Sequence, residues 1–160
     1  MDTSSPVKKW SQLQNIKVYV SSAGKTAGTI EDFYFKPESN GVDAFQVRSR
    51  LGDLFTLPIS KIQKFTDDAL VIETEQMMGR RPSPYPLASS LIGNKVQDEK
   101  GNEIGTISGI LLNTEPIVAT RVAAFELSGN DRGKSFSADA IVHYEKNLFT
   151  LQDQFARNLK

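Results

Sequence analysis

Side chains that could carry chemistry are few in this chain. It contains one histidine and no cysteine, which excludes disulfides, thiolate metal sites and cysteine nucleophiles. His143 lies in Ile-Val-His-Tyr-Glu, an alternating pattern that predicts a strand with Ile141, His143 and Glu145 on one face. A metal at this position would need ligands from elsewhere in the chain. We therefore expect a structural histidine rather than a ligand or a general base.

Neighbouring acidic residues form three pairs, at Glu31-Asp32, Asp67-Asp68 and Asp98-Glu99. In a strand such neighbours point to opposite faces, and in turns they are usually solvated. Acid–base catalysis requires carboxylates that converge. The turn acids at 67–68 and 98–99 leave weak Ca²⁺ binding open, but the ligand spacing of an EF-hand loop is absent. We predict a protein that is not an enzyme and has no metal and no cofactor.

Residues 128–135 come close to a phosphate-binding loop. They read Ser-Gly-Asn-Asp-Arg-Gly-Lys-Ser, but the required first glycine falls on Ser128. Such a loop joins a strand to a helix. Here Ser135 leads into Phe136 and a β-like segment, so a hairpin loop is the better interpretation.

Four glycines repeat with the spacing of a helix-packing motif: Gly24, Gly28, Gly101 and Gly105. That motif needs a long apolar helix, whereas polar residues such as Lys25 and Asn102 lie between these glycines. We interpret them as structural turn and bulge glycines, because glycine tolerates positive φ and close backbone approach.

The elements that must position these residues occur twice. Lys17-Val18 matches Lys95-Val96, and Gly28-Thr29-Ile30 matches Gly105-Thr106-Ile107. Matching residues of the two copies lie 77 to 79 positions apart in the sequence, and the last of these matches pairs Pro58–Ile62 with Ser137–Ile141. Two copies of a roughly 60-residue unit indicate a duplication rather than a solenoid, which needs at least about three stacked repeats.

Between the copies lies a proline-rich stretch that predicts a semi-rigid linker. Three of the seven prolines stand here at alternate positions, 82, 84 and 86. Residues 1–75 carry nine basic and ten acidic groups, and residues 91–160 carry eight and nine. The expected organisation has five parts. These are an N-terminal tail (1–12), a first barrel (13–75), the linker (76–90), a second barrel (91–152) and a short C-terminal helix (153–160).

Each unit has the pattern of short strands joined by glycine and Asp/Asn turns, which predicts an all-β protein with sheets closed into small barrels. Only residues 152–160 look helical, with Phe155 and Leu159 on one face. The predicted strands are 16–20, 29–35, 42–48, 54–57, 69–73, 95–97, 104–113, 118–127, 134–136, 141–144 and 148–151.

The segments Leu91–Val96 and Asp98–Ile107 resemble the start of a PRC-barrel domain, and Leu57–Ile62 with Asp67–Ile72 resembles its end. The resemblance covers two tandem copies. The family includes the cytoplasmic domain of the photosynthetic reaction-centre H subunit and the C-terminal domain of a ribosome maturation factor. The resemblance implies two small six-stranded barrels that bind other proteins, and it implies no catalytic residues.

Four residues are candidates for binding a partner, since interfaces are enriched in Trp, Tyr and Arg. Trp10 follows Lys8-Lys9, and Tyr85 lies in the linker beside Arg80 and Arg81. The alternative is that Trp10 and Tyr85 pack within the molecule, over the barrel ends or the seam between the barrels.

The hypothesis from sequence is a non-catalytic protein-binding adaptor that docks an unidentified protein through strand edges or barrel-end loops. One alternative is a ribosome-assembly type of factor that docks on a ribosomal protein. Another is a peripheral component of a membrane or photosynthetic complex. Because net charge is zero, we expect no direct binding of nucleic acid, and self-association stays open. With no run of about 18 apolar residues and no signal-peptide pattern, the expected location is the cytoplasm.

Overall fold

The computed structural model describes residues 7–128, 134–145 and 147–157, which contain thirteen strands and two four-residue helices. The strands are β1 (Val7–Lys9), β2 (Lys17–Val20), β3 (Lys25–Lys36), β4 (Gly41–Ser49), β5 (Leu54–Pro58), β6 (Ile62–Phe65), β7 (Ala69–Ile72), β8 (Lys95–Asp98), β9 (Glu103–Asn113), β10 (Arg121–Ser128), β11 (Ser135–Ser137), β12 (Ile141–Glu145) and β13 (Leu148–Leu151). The helices are α1 (Trp10–Leu13) and α2 (Asp153–Ala156). Neither described helix has the length that a bilayer crossing requires.

Strands β2–β7 form a first unit and β8–β13 a second, and the two units have the same topology. The hydrogen-bonded order is β6-β7-β2-β3-β4-β5 in the first and β12-β13-β8-β9-β10-β11 in the second. In each unit the first and last strands are parallel, β2 with β7 and β8 with β13, while the other pairs are antiparallel. The predicted fold class is confirmed: the chain is mostly β, with two tandem units and a short C-terminal helix.

The prediction of sheets closed into barrels is wrong, because the described strands form a sheet that is not closed by hydrogen bonds. In the first unit, β5 and β6 are the two ends of the strand order, and the chain passes between them through the 3₁₀ turn Ile59–Lys61. The second unit repeats this arrangement with the turn Ala138–Ala140. In each unit the two end strands are thus joined by a 3₁₀ turn, whereas a closed barrel would need hydrogen bonds between them.

The sequence-predicted strands differ from the structure at four main places, one of which is β3, which begins at Lys25 rather than at Thr29. β1 and β6 were not predicted, because both are short and β6 carries two exposed polar residues, Gln63 and Lys64. The predicted strand 118–127 starts too early, since Ile117–Ala119 is a 3₁₀ turn and β10 begins at Arg121.

Two of the repeated glycines lie where strands come unusually close. A Cβ on Gly28 would stand 2.2 Å from the Arg48 carbonyl oxygen, and one on Gly105 would stand 2.7 Å from that of Ser128. A register shift next to each glycine marks a β-bulge. The other two, Gly24 and Gly101, have φ of +62° and +89° in the turns that precede these bulges, a conformation that favours glycine.

The two units join by a reciprocal pair of backbone hydrogen bonds. Val42 N donates to Thr120 O at 3.0 Å, and Val122 N donates to Asn40 O at 2.7 Å. Val42 and Val122 hold the same position in the two units, opposite Phe35 and Leu112. Such mutual contacts between equivalent residues are the signature of a two-fold interface, so the units are related by a pseudo-two-fold axis that passes between β4 and β10.

The aromatic core crosses this interface. The Phe35 ring of the first unit packs edge-on against Phe125 and Tyr144 of the second, at 5.9 and 6.3 Å between centroids. The side chains of Phe35 and Phe125 are fully buried. The buried residues of both units form one continuous cluster, so each unit depends on the other for part of its core.

A short arm in front of each unit crosses to the other unit. β1, which precedes the first unit, pairs with the end of β9 in the second, where Lys9 stands opposite Leu111. The end of the linker, which precedes the second unit, pairs with β3 of the first, where Leu87 stands opposite Tyr34. The Phe35 N–H also donates to Pro86 O at 2.8 Å. The arms are therefore exchanged about the pseudo-two-fold axis, and residues 7–12, expected as a tail, are part of the exchange.

Replacing Phe35 by Ala should destabilise the whole chain by about 3–5 kcal/mol, the cost of deleting a fully buried ring. Because the ring belongs to the shared core, we expect a single unfolding transition in urea for wild type and variant. Far-UV circular dichroism reports on both units, and fluorescence of Trp10, the one tryptophan, reports on the first unit. The milder change Phe35→Leu should cost clearly less. Different midpoints for the two signals would show that the units unfold separately.

Candidate functional site

His143 lies on β12 with its Nε2 atom 3.0 Å from Glu145 Oε2. Both side chains are more than 60% exposed and share a face at positions i and i+2. Ile141, predicted on the same face, instead packs against the core, because the bulge at Val142 interrupts the alternation. Among the described residues, no three His, Asp or Glu side chains come together in a way that could hold a metal ion.

One residue in each of two acidic pairs, Asp32 and Asp98, accepts hydrogen bonds from the backbone. The buried Asp32 carboxylate, on β3, accepts from the N–H groups of Phe33 and Ser89, at 2.8 and 3.2 Å. The Asp98 carboxylate accepts from the N–H groups of Lys100 and Asn102, which closes the turn before β9. These hydrogen bonds do not bring two carboxylates together for proton transfer.

The segment that resembles a phosphate-binding loop lies largely outside the described residues, since the structure describes Ser128 and then resumes at Lys134. Its flanks are β10 and β11, which pair as antiparallel strands, with Glu126 opposite Ser135. The context is therefore a hairpin, in which no helix N-terminus follows the loop as a phosphate site would need.

Trp10 of α1 is 5% exposed and packs inside the molecule. Its ring meets Phe33 edge-on at 4.9 Å and stacks on Phe45 at 6.3 Å. The preceding residue, Lys9, pairs with the second unit, so burial of the indole ring holds the arm in place. In this structure the Trp10 ring is therefore not available to a partner. It packs within the molecule, as the alternative interpretation of the sequence expected.

Tyr85, Arg80 and Arg81 do not form one site. The half-buried Tyr85 hydroxyl donates to Glu38 Oε1 at 3.0 Å, and this hydrogen bond to a carboxylate raises the pKa of Tyr85. Tyr85 therefore fastens the linker to the β3–β4 turn. Arg80 is exposed and its guanidinium lies over the Phe55 ring at 5.0 Å, a favourable cation–π geometry. Arg81 is exposed, with no ion pair to any residue that the structure describes.

Arg80 lines a groove of about 440 Å³ at one end of the first unit. Three segments form it: the start of β3, the β4–β5 hairpin loop and the beginning of the linker. We call it the hairpin groove, and its lining residues are Lys25, Thr26, Ala27, Ser49, Arg50, Leu51, Asp53, Phe55, Glu75, Gln76, Met78 and Arg80. The linker reaches this place because Gly79 and Thr56 exchange two backbone hydrogen bonds, at 2.7 and 2.8 Å.

The groove combines an apolar floor with a cationic rim. Phe55 and Met78 are half-buried and pack against the core, while Leu51 at the hairpin tip is 92% exposed. Lys25 pairs with Glu75 at 2.9 Å. Arg50 is exposed and forms no ion pair within the described part of the chain. Apolar surface rimmed by polar groups is typical of a site that binds protein.

The hairpin is held by Arg48, near the end of β4. Its Nε and Nη2 atoms donate to the two carboxylate oxygens of Glu31, each at 3.1 Å, and its Nη1 atom donates to Gly52 O at 2.9 Å. The hydrogen bond from Arg48 lowers the pKa of Glu31 and raises that of Arg48. A bidentate pair restricts orientation as well as distance, so Arg48 ties the loop that carries Leu51 to strand β3.

Sequence reasoning identified Arg80 but missed Leu51 and Arg50. The available signal was an apolar residue inside the polar hairpin loop Ser-Arg-Leu-Gly-Asp. The hydroxyl of Ser49 accepts from the Asp53 N–H at 3.1 Å, and Gly52 has a φ of +95°. A loop closed in this way turns Leu51 outward, where its side chain has almost no cover.

Comparison with known proteins identifies the repeated unit. The family model of the PRC-barrel domain matches the chain twice, at residues 6–77 and 87–153. Each match includes residues of an exchanged arm and extends beyond the last strand of its unit. No curated protein matches the chain. The resemblance that the sequence motifs indicated is confirmed, and the chain belongs to the PRC-barrel domain family, with two copies of the domain in tandem.

Proposed function

We propose that this protein is a non-catalytic adaptor that binds a partner protein through the hairpin groove. PRC-barrel domains are known for roles in protein interaction, and the family is generally non-catalytic. The observation that carries the proposal is Leu51, a large apolar side chain that is 92% exposed beside two cationic side chains, Arg50 and Arg80. Burial of such a side chain against a partner is favourable by about 1.5–3 kcal/mol.

The chemistry of the groove indicates which partner would fit. Its lining has three basic residues, Lys25, Arg50 and Arg80, against two acidic ones, Asp53 and Glu75, and Lys25 and Glu75 neutralise each other. The guanidinium groups of Arg50 and Arg80 can each pair with a carboxylate. The partner would therefore present an acidic segment with an apolar side chain that covers Leu51 and reaches Phe55.

The same geometry argues against catalysis at this groove. The floor of the groove is made of apolar side chains, and its polar groups lie on the rim. This distribution supports contact rather than reaction.

Replacing Leu51 by Asp, or Arg50 by Glu, should reduce recovery of the partner by at least about tenfold in affinity purification of the tagged full chain from native cells. The first change removes the apolar anchor and the second reverses a charge, and anchor residues of this kind often contribute about 2 kcal/mol or more to binding. The measurement is the amount of each co-purified protein, quantified by mass spectrometry.

Two matched variants lie outside the groove: Val118→Asp, at a side chain that is 76% exposed, and Arg121→Glu, at another exposed arginine. Both should leave recovery unchanged. Thermal unfolding checks that all four variants are folded. Equal recovery of the same proteins by the groove variants and the controls would contradict the proposal.

The ion pair that holds the hairpin should make the stability of the chain depend on pH. The pKa of Glu31 is lowered in the folded protein, so the contribution of the pair is fully present above the ordinary value of 4.5 and is lost as the pH falls through the lowered pKa. Glu31→Gln should therefore lower Tm at pH 7, and the difference from wild type should vanish in acid. Glu103→Gln, at an exposed pair with 3.8 Å separation, should change Tm little. A difference that persists in acid would show that charge is not its cause.

A further inference from the structure

The pseudo-two-fold axis creates two equivalent positions between the units, one beside β6 and one beside β12. In each, the loop that joins the two longest strands of one unit faces the penultimate strand of the other. The second-unit loop, residues 114–120, forms the 3₁₀ turn Ile117–Ala119, which contacts β6 and the turn Ile59–Lys61. Ile117 packs there against the core. The position beside β6 is therefore covered by the chain itself.

The position beside β12 is not covered in the same way. The first-unit loop has four residues, 37–40, against seven in the second-unit loop, and it contains no equivalent of the apolar turn. It reaches the second unit through Asn40, whose Nδ2 donates to Ala138 O at 3.2 Å. A cleft of about 370 Å³ lies beside it, lined by Pro37, Glu38, Asn40, Ile141, Val142, His143 and Tyr144. We call it the β12 cleft.

The two units also differ in the residue at the β-bulge of the penultimate strand, which is polar in β6 and apolar in β12. In β6 the bulge residue is Gln63, whose side chain accepts from the Ser21 hydroxyl at 3.1 Å. In β12 the bulge residue is Val142, which is 46% exposed and lines the cleft. The unit that lacks a covering loop thus presents an apolar side chain where the covered unit has a polar one.

We propose that the β12 cleft is a second docking site, which takes a short apolar turn from a partner protein. The occupant is defined by the equivalent position, where this chain places the turn Ile117–Ala119, which follows Pro116, against β6, with Ile117 packed against the core. Glu38 is the one acidic residue among the lining residues, so the partner's turn carries a basic residue next to its proline. Among the described strands, β12 ends the strand order and pairs with β13 alone, so its other edge offers backbone groups for the partner to bind.

This site does not depend on the hairpin groove, with which it shares no lining residue and whose proposed partner segment has the opposite charge. A chain with both sites could join two different proteins. Linkage of two modest sites in one rigid molecule raises the apparent affinity for a complex that contains both partners. If the binding experiment at one site gave a negative result, the proposal for the other site would still stand.

The probe for the β12 cleft is a synthetic peptide with the sequence of residues 113–121 of this chain and the change Glu115→Lys. Titrated into the ¹⁵N-labelled full chain, it should cause saturable amide shifts at Glu38, Val142 and His143, with a Kd below about 1 mM, and leave the amide of Leu51 unchanged. Val142→Gln, which copies the first unit, and Val142→Asp should each weaken binding at least about tenfold.

Peptides with Ile117→Asp or with the original Glu115 should bind more weakly than the probe. The proposal is overturned if the probe gives no saturable shifts at several times 1 mM, if the shifts map away from the cleft, or if both Val142 variants bind like wild type. Sedimentation of the free chain distinguishes a self-association site. A dimer that is lost in Val142→Asp would show that the occupant is a second copy and would overturn the assignment to another protein.

Discussion

The exchange of arms is the constraint on which the rest of the structure depends. Each arm contributes backbone hydrogen bonds to the long strand of the other unit, β1 to β9 and residues 86–87 to β3. A unit of about 60 residues buries only a modest fraction of its surface and is marginal alone. The exchange, together with the buried Phe35 and Trp10 rings, converts two such units into one structure with a shared core.

The same constraint explains the composition of the linker. Alternate prolines keep this segment extended. A proline that faces β3 has no N–H to donate there but still offers its carbonyl, and Pro86 O accepts from the Phe35 N–H. The side chains of Ser83 and Tyr85 then hold the segment in place by hydrogen bonds to the carboxylates of Asp43 and Glu38, at 2.8 and 3.0 Å. The linker is thus the arm of the second unit and not a spacer.

The repeat, the all-β class and the family could be predicted because they rest on local patterns that occur twice. The arm exchange could not, since Val-Lys-Lys-Trp before the first unit and Tyr-Pro-Leu-Ala before the second share no residue type. Trp10 illustrates the difficulty: an aromatic residue beside two lysines is typical of an interface, yet the neighbouring β1 pairing draws its ring into the core. In contrast, Leu51 looked like ordinary hairpin sequence, and only the closed loop geometry shows that nothing covers it.

Duplication explains why the two units differ where they do. Residues at the pseudo-two-fold axis make reciprocal contacts, so a change there disturbs both units. Val42 and Val122 are the same residue type, whereas Asn40 and Thr120 differ and contribute their backbone carbonyls. At other positions the contact that one unit makes has no counterpart in the other. The loops of four and seven residues and the bulge residues Gln63 and Val142 are of this kind. Surfaces that can differ without loss of the shared core are the ones that can acquire a partner, and both candidate sites contain such a position, Leu51 in the hairpin groove and Val142 in the β12 cleft.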